Sequence, residues 1–119
     1  MTARRVLIID DDREYCMELV ETLKGENCRA EYECDAWRGE QLIKSGGYDT
    51  VLLDHKMSEM TGTEMLKRLK NCGVKSRIFI VSGRPSVEEE IRKENLFDMV
   101  SGIIMKPLDL NEFLRRVMD

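Results

Sequence analysis

The sequence predicts an α/β fold, an open, doubly wound sheet of five parallel strands with helices on both faces. Two observations carry this. Short aliphatic runs alternate with longer segments of helical periodicity, the pattern of βαβ units, whose crossovers are right-handed. The runs also stop abruptly on polar or turn-forming residues, as at Asp10, Asp54 and Ser82, which is how a strand buried on both faces ends.

Taken in order, Val6-Leu7-Ile8-Ile9 is an unbroken aliphatic strand halted by Asp10-Asp11-Asp12. Cys16, Leu19, Val20 and Leu23 recur at i, i+3, i+4 and i+7, one face of a helix that Gly25 ends. Ala30-Glu31-Tyr32-Glu33-Cys34 alternates apolar with charged residues, as a half-exposed edge strand does. A short helix follows with Gly39, Leu42 and Ile43 inward and Gly46-Gly47 closing it. Thr50-Val51-Leu52-Leu53 is the third strand, and Met65, Leu66 and Leu69 mark the third helix. Ile78-Phe79-Ile80-Val81 is the fourth strand, and the capping-box spacing Ser86-Val87-Glu88-Glu89 opens a helix through Asn95. Ile103-Ile104-Met105 is the fifth strand. A second capping box, Asp109-Leu110-Asn111-Glu112, opens a last helix carrying Phe113, Leu114 and Val117 and running to Asp119.

Composition narrows the function. At 119 residues the expectation is one domain over 1–119, and 42% hydrophobic residues suffice for a core. Nineteen basic against 23 acidic residues leave a net charge of −4, which disfavours duplex nucleic acid as a direct partner. No apolar run approaches the roughly 20 residues needed to insert in a membrane, and Asp10 arrives too early for a secretory signal. Cys16, Cys28, Cys34 and Cys72 form no C-x-x-C pair, and with one histidine they read as buried or semi-buried thiols of a reduced, cytoplasmic protein rather than zinc ligands.

In a doubly wound sheet, ligands bind beyond the carboxyl ends of the strands. Asp10, Asp11 and Asp12 follow the first strand, Asp54 the third, Ser82 the fourth and Lys106-Pro107 the fifth. Carboxylates that crowd together raise one another's pKa unless a cation joins them, and hard oxygen ligands favour Mg2+, or Mn2+ in its place. A carboxylate can attack phosphorus to give an acyl phosphate, with a lysine and a hydroxyl on the non-bridging oxygens. Asp54 is the best nucleophile, and Asp10-Asp11 suits the metal. Each aspartate is also a common turn former, and Asp12 or its neighbour suits an N-cap of the first helix.

Four motifs in order resemble the receiver domain of two-component response regulators over essentially the whole chain. They are Val6-Leu7-Ile8-Ile9-Asp10-Asp11-Asp12; Val51-Leu52-Leu53-Asp54-His55-Lys56-Met57-Ser58-Glu59-Met60-Thr61-Gly62; Ile80-Val81-Ser82-Gly83; and Met105-Lys106-Pro107-Leu108. The resemblance implies a flavodoxin-like strand order 2-1-3-4-5. It implies that Asp54 accepts a phosphoryl group from a phosphohistidine on a sensor histidine kinase or histidine phosphotransfer protein. Asp11, Asp54 and the Lys56 backbone carbonyl would bind Mg2+ directly, and Asp10 through coordinated water. Ser82 would hydrogen-bond the phosphoryl group, Lys106 would pair with it, and the Lys106-Pro107 bond would be cis. The face of the fourth helix, fifth strand and fifth helix would signal to a downstream protein target. On this view the chain is not a turnover enzyme, although it catalyses its own phosphorylation and dephosphorylation.

Departures from the pattern matter. Ile103 stands where many relatives carry an aromatic switch residue, and Ser58 replaces a loop proline, which should leave that loop freer in the unfolded ensemble first and in the folded one second. Lys56 and Arg84 would border the phosphoryl site and tune its lifetime. His55 reads as an exposed loop histidine, Glu88-Glu89-Glu90 as a solvated helix start, and Trp37 and Tyr32 as packing around the second helix. Two alternatives stand beside the receiver: a receiver-like interaction module that works without phosphate, and a haloacid-dehalogenase-type phosphatase built on Asp10-Asp11-Asp12. Glu14 stands where the latter wants threonine or valine.

Overall fold

A computed structural model describes residues 4–118. The leading Met-Thr-Ala and the expected helix end at Asp119 lie outside the described residues. The order is β1 (Arg4–Ile9), α1 (Arg13–Lys24), β2 (Cys28–Glu33), α2 (Ala36–Ser45), β3 (Thr50–Asp54), α3 (Gly62–Leu69), β4 (Arg77–Ser82), α4 (Val87–Lys93), β5 (Gly102–Met105) and α5 (Leu110–Met118), with a 3-10 turn at Phe97–Met99. The strands form one parallel sheet in the order β2-β1-β3-β4-β5. This is the expected flavodoxin-like arrangement.

Successive side chains of a strand point to opposite faces, and the core divides accordingly. Leu7, Ile9, Val51, Leu53, Ile78 and Ile80 pack with Ile43 of α2, Met65, Leu66 and Leu69 of α3, and Val87 and Ile91 of α4. Val6, Ile8, Leu52, Phe79 and Val81 pack on the other face with Cys16, Leu19, Val20 and Leu23 of α1 and Phe113 and Val117 of α5. Each fully buried aliphatic of these strands is worth about 1.5–3 kcal/mol over its exposed state. Gly39 of α2 permits close approach to the sheet: a Cβ there would lie 2.8 Å from an Ile9 methyl.

The buried parallel ladder also fixes the site. Ile9 pairs with Leu53, Asp54 with Val81 and Ser82 with Met105, so the ends of β1, β3, β4 and β5 lie along one edge. At the outer strand β5, Gly102 leaves room for the Arg116 guanidinium, which donates to the Ile103 carbonyl at 2.6 Å and lies over the Phe79 ring.

Several local expectations need correction. Ser86 does not cap α4: its backbone is already α-helical (φ −75°, ψ −5°), and its side chain makes no cap bond. A cap needs an extended backbone to aim its oxygen at the N2 or N3 amide. The helix stops at Lys93 rather than Asn95. There Asn95 adopts φ 58°, with its amide on the Arg92 carbonyl and the Leu96 amide on the Ile91 carbonyl, a Schellman stop built on asparagine. Strand β2 begins two residues earlier than its alternation suggested. Cys72 is exposed rather than semi-buried. Trp37 is 49% exposed beside the Arg68 guanidinium, and Tyr32 packs on the α1 side of the sheet rather than around α2.

Candidate functional site

Asp10 leaves the end of β1 and is buried, its Oδ1 accepting the Asp12 amide at 3.0 Å. Asp12 caps α1 by accepting the Tyr15 amide, so its carboxylate serves the helix. Asp11 is exposed between them. Asp54, at the end of β3, is only 6% exposed. One carboxylate oxygen each from Asp10, Asp11 and Asp54 lies within 4.8 Å of the others. The Lys106 ammonium reaches Asp54 Oδ1 at 3.2 Å and Asp10 Oδ2 at 3.3 Å.

Three carboxylates against one ammonium leave two negative charges uncompensated at full ionisation. Burial first, then Asp10, push the Asp54 carboxyl up to about 6 from its ordinary 3.8, against the pull of Lys106. Burial would depress Lys106, but Asp54 and Asp10 outweigh it and its pKa is raised. Lys106 lies over the Tyr15 ring, 4.8 Å from its centroid. Burial holds the Tyr15 phenol at about 12, and its hydroxyl is buried without a partner among the described residues. The donor set is all hard oxygen with a charge deficit, which fits a divalent cation such as Mg2+.

Ser82 is buried at the end of β4. Its Oγ accepts the Arg84 amide at 3.0 Å and lies 3.4 Å from the Arg84 carbonyl, turned into its own loop. The Lys106 amide donates to the Ser82 carbonyl, and the Lys106-Pro107 bond is cis, as the resemblance implied. Ile103 packs against the α2–α4 core.

The expected exposed histidine is buried. His55 is 2% exposed, with Nε2 2.9 Å from Thr63 Oγ1 and 2.8 Å from Glu90 Oε2, and Nδ1 3.3 Å from Arg84 Nη2. Because the guanidinium only donates, Nδ1 accepts and the ring proton sits on Nε2. Glu90 is therefore more than a solvated helix-start acid, although its side chain stays 40% exposed. It takes bonds from Thr63 at 2.6 Å, from His55 and from Arg84, and these hold its carboxyl below its ordinary range, Thr63 foremost. The Arg84 guanidinium reaches this cluster, while Lys56 is exposed, its backbone bridged to Thr61.

In the folded state the loop from His55 to Gly62 is held by hydrogen bonds, one of them made through Ser58. The Ser58 amide, which proline would lack, donates to Asp11 Oδ2 at 3.2 Å. Glu59 accepts the Ala36 amide, and Met57 and Met60 are buried. Thr61 and Glu64 form a reciprocal capping box on α3. That spacing is a local signal missed by the sequence reading, whereas the partners 35 and 47 residues apart carry no local signal.

Residues 6–118 match the family described as response regulator receiver domain. The cell cycle response regulator CtrA of Brucella ovis is 33% identical over 116 residues, covering 95% of this chain and 48% of that protein. The chain thus spans about half the length of the curated relatives it matches. Among solved structures, a CheY-like response regulator receiver domain protein from Methanospirillum hungatei superposes with a TM-score of 0.84 at 26% identity, covering 96% of this chain and 90% of that one. The response regulator TrrA of Thermotoga maritima, solved in complex with Mg2+-BeF, gives 0.79 at 19% identity, covering 95% of each chain.

Proposed function

The chain belongs to the response regulator receiver domain family, and we propose that it is a phospho-accepting switch in the cytoplasm, with 1–119 working as one receiver unit. The observation that carries this is Asp54, buried at a strand end, clustered with Asp10 and Asp11 and paired with the Lys106 ammonium, which also reaches Asp10. An Asp54 oxygen attacks the phosphorus of a partner's phosphohistidine, from a sensor histidine kinase or histidine phosphotransfer protein. The P–N bond breaks, and the imidazole leaves with its electron pair. Asp54 must be ionised to attack, and at about 6 its pKa leaves it mostly so at pH 7. Mg2+, or Mn2+ in its place, held by Asp11, Asp54 and the Lys56 carbonyl with Asp10 behind, would supply the positive charge that the non-bridging oxygens require. Lys106 pairs with one of those oxygens, and Ser82 turns its hydroxyl to another.

The phosphorylated chain then signals to a downstream protein through α4, β5 and α5, with neither nucleic acid nor membrane as a direct partner. No helix among the described residues is long and apolar enough to cross a membrane. Intact mass after incubation with acetyl phosphate and Mg2+ tests the proposal. The parent should gain one phosphoryl group and Asp54→Asn none. No gain in the parent favours a phosphate-independent module, and sustained release of phosphate from a small ester favours a phosphatase.

A further inference from the structure

Ile103 offers no ring whose rotation could report the state of Ser82, yet a polar path leads from Ser82 to α4. The Ser82 hydroxyl has one proton and two lone pairs. One lone pair takes the Arg84 amide at 3.0 Å. The Arg84 carbonyl accepts the Val87 amide, the first of α4, at 3.3 Å. The Arg84 guanidinium reaches His55 Nδ1 at 3.3 Å and Glu90 Oε1, one turn into α4, at 3.4 Å. Arg84 thus touches the hydroxyl, the residue after the acceptor, and the helix.

We propose that His55 and Arg84 are positioning residues for Ser82: their contact, closed by Glu90, holds the β4–α4 loop in its resting arrangement and passes loop movement into α4. His55 is the fixed end. Its amide donates to the Val81 carbonyl at 3.0 Å, its carbonyl accepts the Gly62 amide at 2.8 Å, and its ring is buried. The absence of a side chain at Gly62 lets α3 come this close: a Cβ would lie 3.2 Å from His55 Cα. Arg84 is the moving end, with its side chain 55% exposed. When Ser82 turns to a phosphoryl oxygen, the Arg84 amide loses its acceptor. That amide must find another acceptor, so residue 84 shifts, and its guanidinium parts from His55 and Glu90. The bridge therefore opposes the phosphorylated arrangement and couples it to α4.

This rests on Asp54 as the phospho-acceptor, and the test separates the two. Beryllofluoride with Mg2+ is titrated into the parent, Arg84→Ala, Arg84→Lys and Glu90→Gln, and amide hydrogen exchange is followed in residues 83–86 and 87–93. Both replaced side chains are substantially exposed, so the variants should fold. In the parent, both segments change exchange on binding. Arg84→Ala keeps the loop response, diminishes the α4 response, since only the main-chain bond to Val87 remains, and binds beryllofluoride about three- to ten-fold more tightly, the scale of one or two released hydrogen bonds. Glu90→Gln, which takes the charge from the acceptor shared by Arg84, His55 and Thr63, and Arg84→Lys, which keeps the charge without the planar fork, fall between. An undiminished α4 response with unchanged affinity in Arg84→Ala overturns the inference and leaves the acceptor in place. No response in the parent overturns both.

Discussion

Replacing Asp54 by asparagine should stabilise the metal-free protein at neutral pH. Asp54 titrates at about 6 in the fold and at 3.8 when solvated, because burial and Asp10 disfavour its charge. A carboxyl whose folded pKa is raised binds its proton more tightly in the native state, so stability falls as pH climbs from the unfolded value through the folded one. At 1.36 kcal/mol per pH unit, that gap corresponds to about 3 kcal/mol once Asp54 is fully ionised. Two effects reduce the gain: Lys106 loses one of its two carboxylate partners, and the site mouth admits water around the exposed Asp11. The expected gain is about 1–3 kcal/mol at pH 7.5, shrinking to about 0.5 kcal/mol near pH 4, where folded Asp54 is protonated but the unfolded carboxyl is still partly ionised. Urea unfolding from pH 4 to 8 in EDTA reads this directly. Parallel pH profiles, with Asp54→Asn no more stable than the parent at pH 7.5, would show that the charge on Asp54 carries no such cost.

Mg2+ should raise the parent's Tm, adding about 2.7 kcal/mol at a hundredfold excess over Kd, and should raise that of Asp54→Asn far less; equal shifts would place the cation elsewhere. Gly39→Ala should cost about 1–2 kcal/mol in urea unfolding despite alanine's better helix propensity, because its methyl would meet the buried Ile9 at 2.8–3.1 Å. Glu40 is buried with Arg68 and Lys44 as partners, and Arg68 foremost holds its carboxyl below the ordinary range. Stability from a depressed carboxyl is present above its unfolded pKa and lost as pH falls through its folded pKa. Arg68→Ala should therefore lower the urea midpoint at pH 7, and the deficit should fade in acid; a pH-independent deficit would implicate the stacking on Trp37 instead.

Most of the acid site was legible because it depends on where strands end. Aliphatic runs buried on both faces end where their polar residues begin, and aligning those ends in the parallel sheet brings Asp10, Asp54, Ser82 and Lys106 to one edge. The parts that escaped depend on contacts with no local signal. His55 looks like any loop histidine until Glu90, 35 residues away, is placed against it. Ser58 reads as a lost proline until its amide finds Asp11. Ser86 had the right spacing for a cap, but the turn that begins at Arg84 had already committed its backbone to the helix. Strand β2, at the sheet margin, mixes Arg, Glu and Tyr and so lacks the aliphatic run that marks its central neighbours.

The guanidinium lodged over Gly102 bears on how copies of this chain, or any partner, can approach. An outer strand with open carbonyls invites another strand to pair with it, and proteins commonly guard such margins with charge. Here Arg116 occupies the Ile103 carbonyl and lays a cation along β5. Strand addition would have to evict a bonded arginine and bury its charge. Association at this side of the sheet is thereby steered away from main-chain pairing, which any extended peptide can offer, toward side-chain recognition, which discriminates among partners.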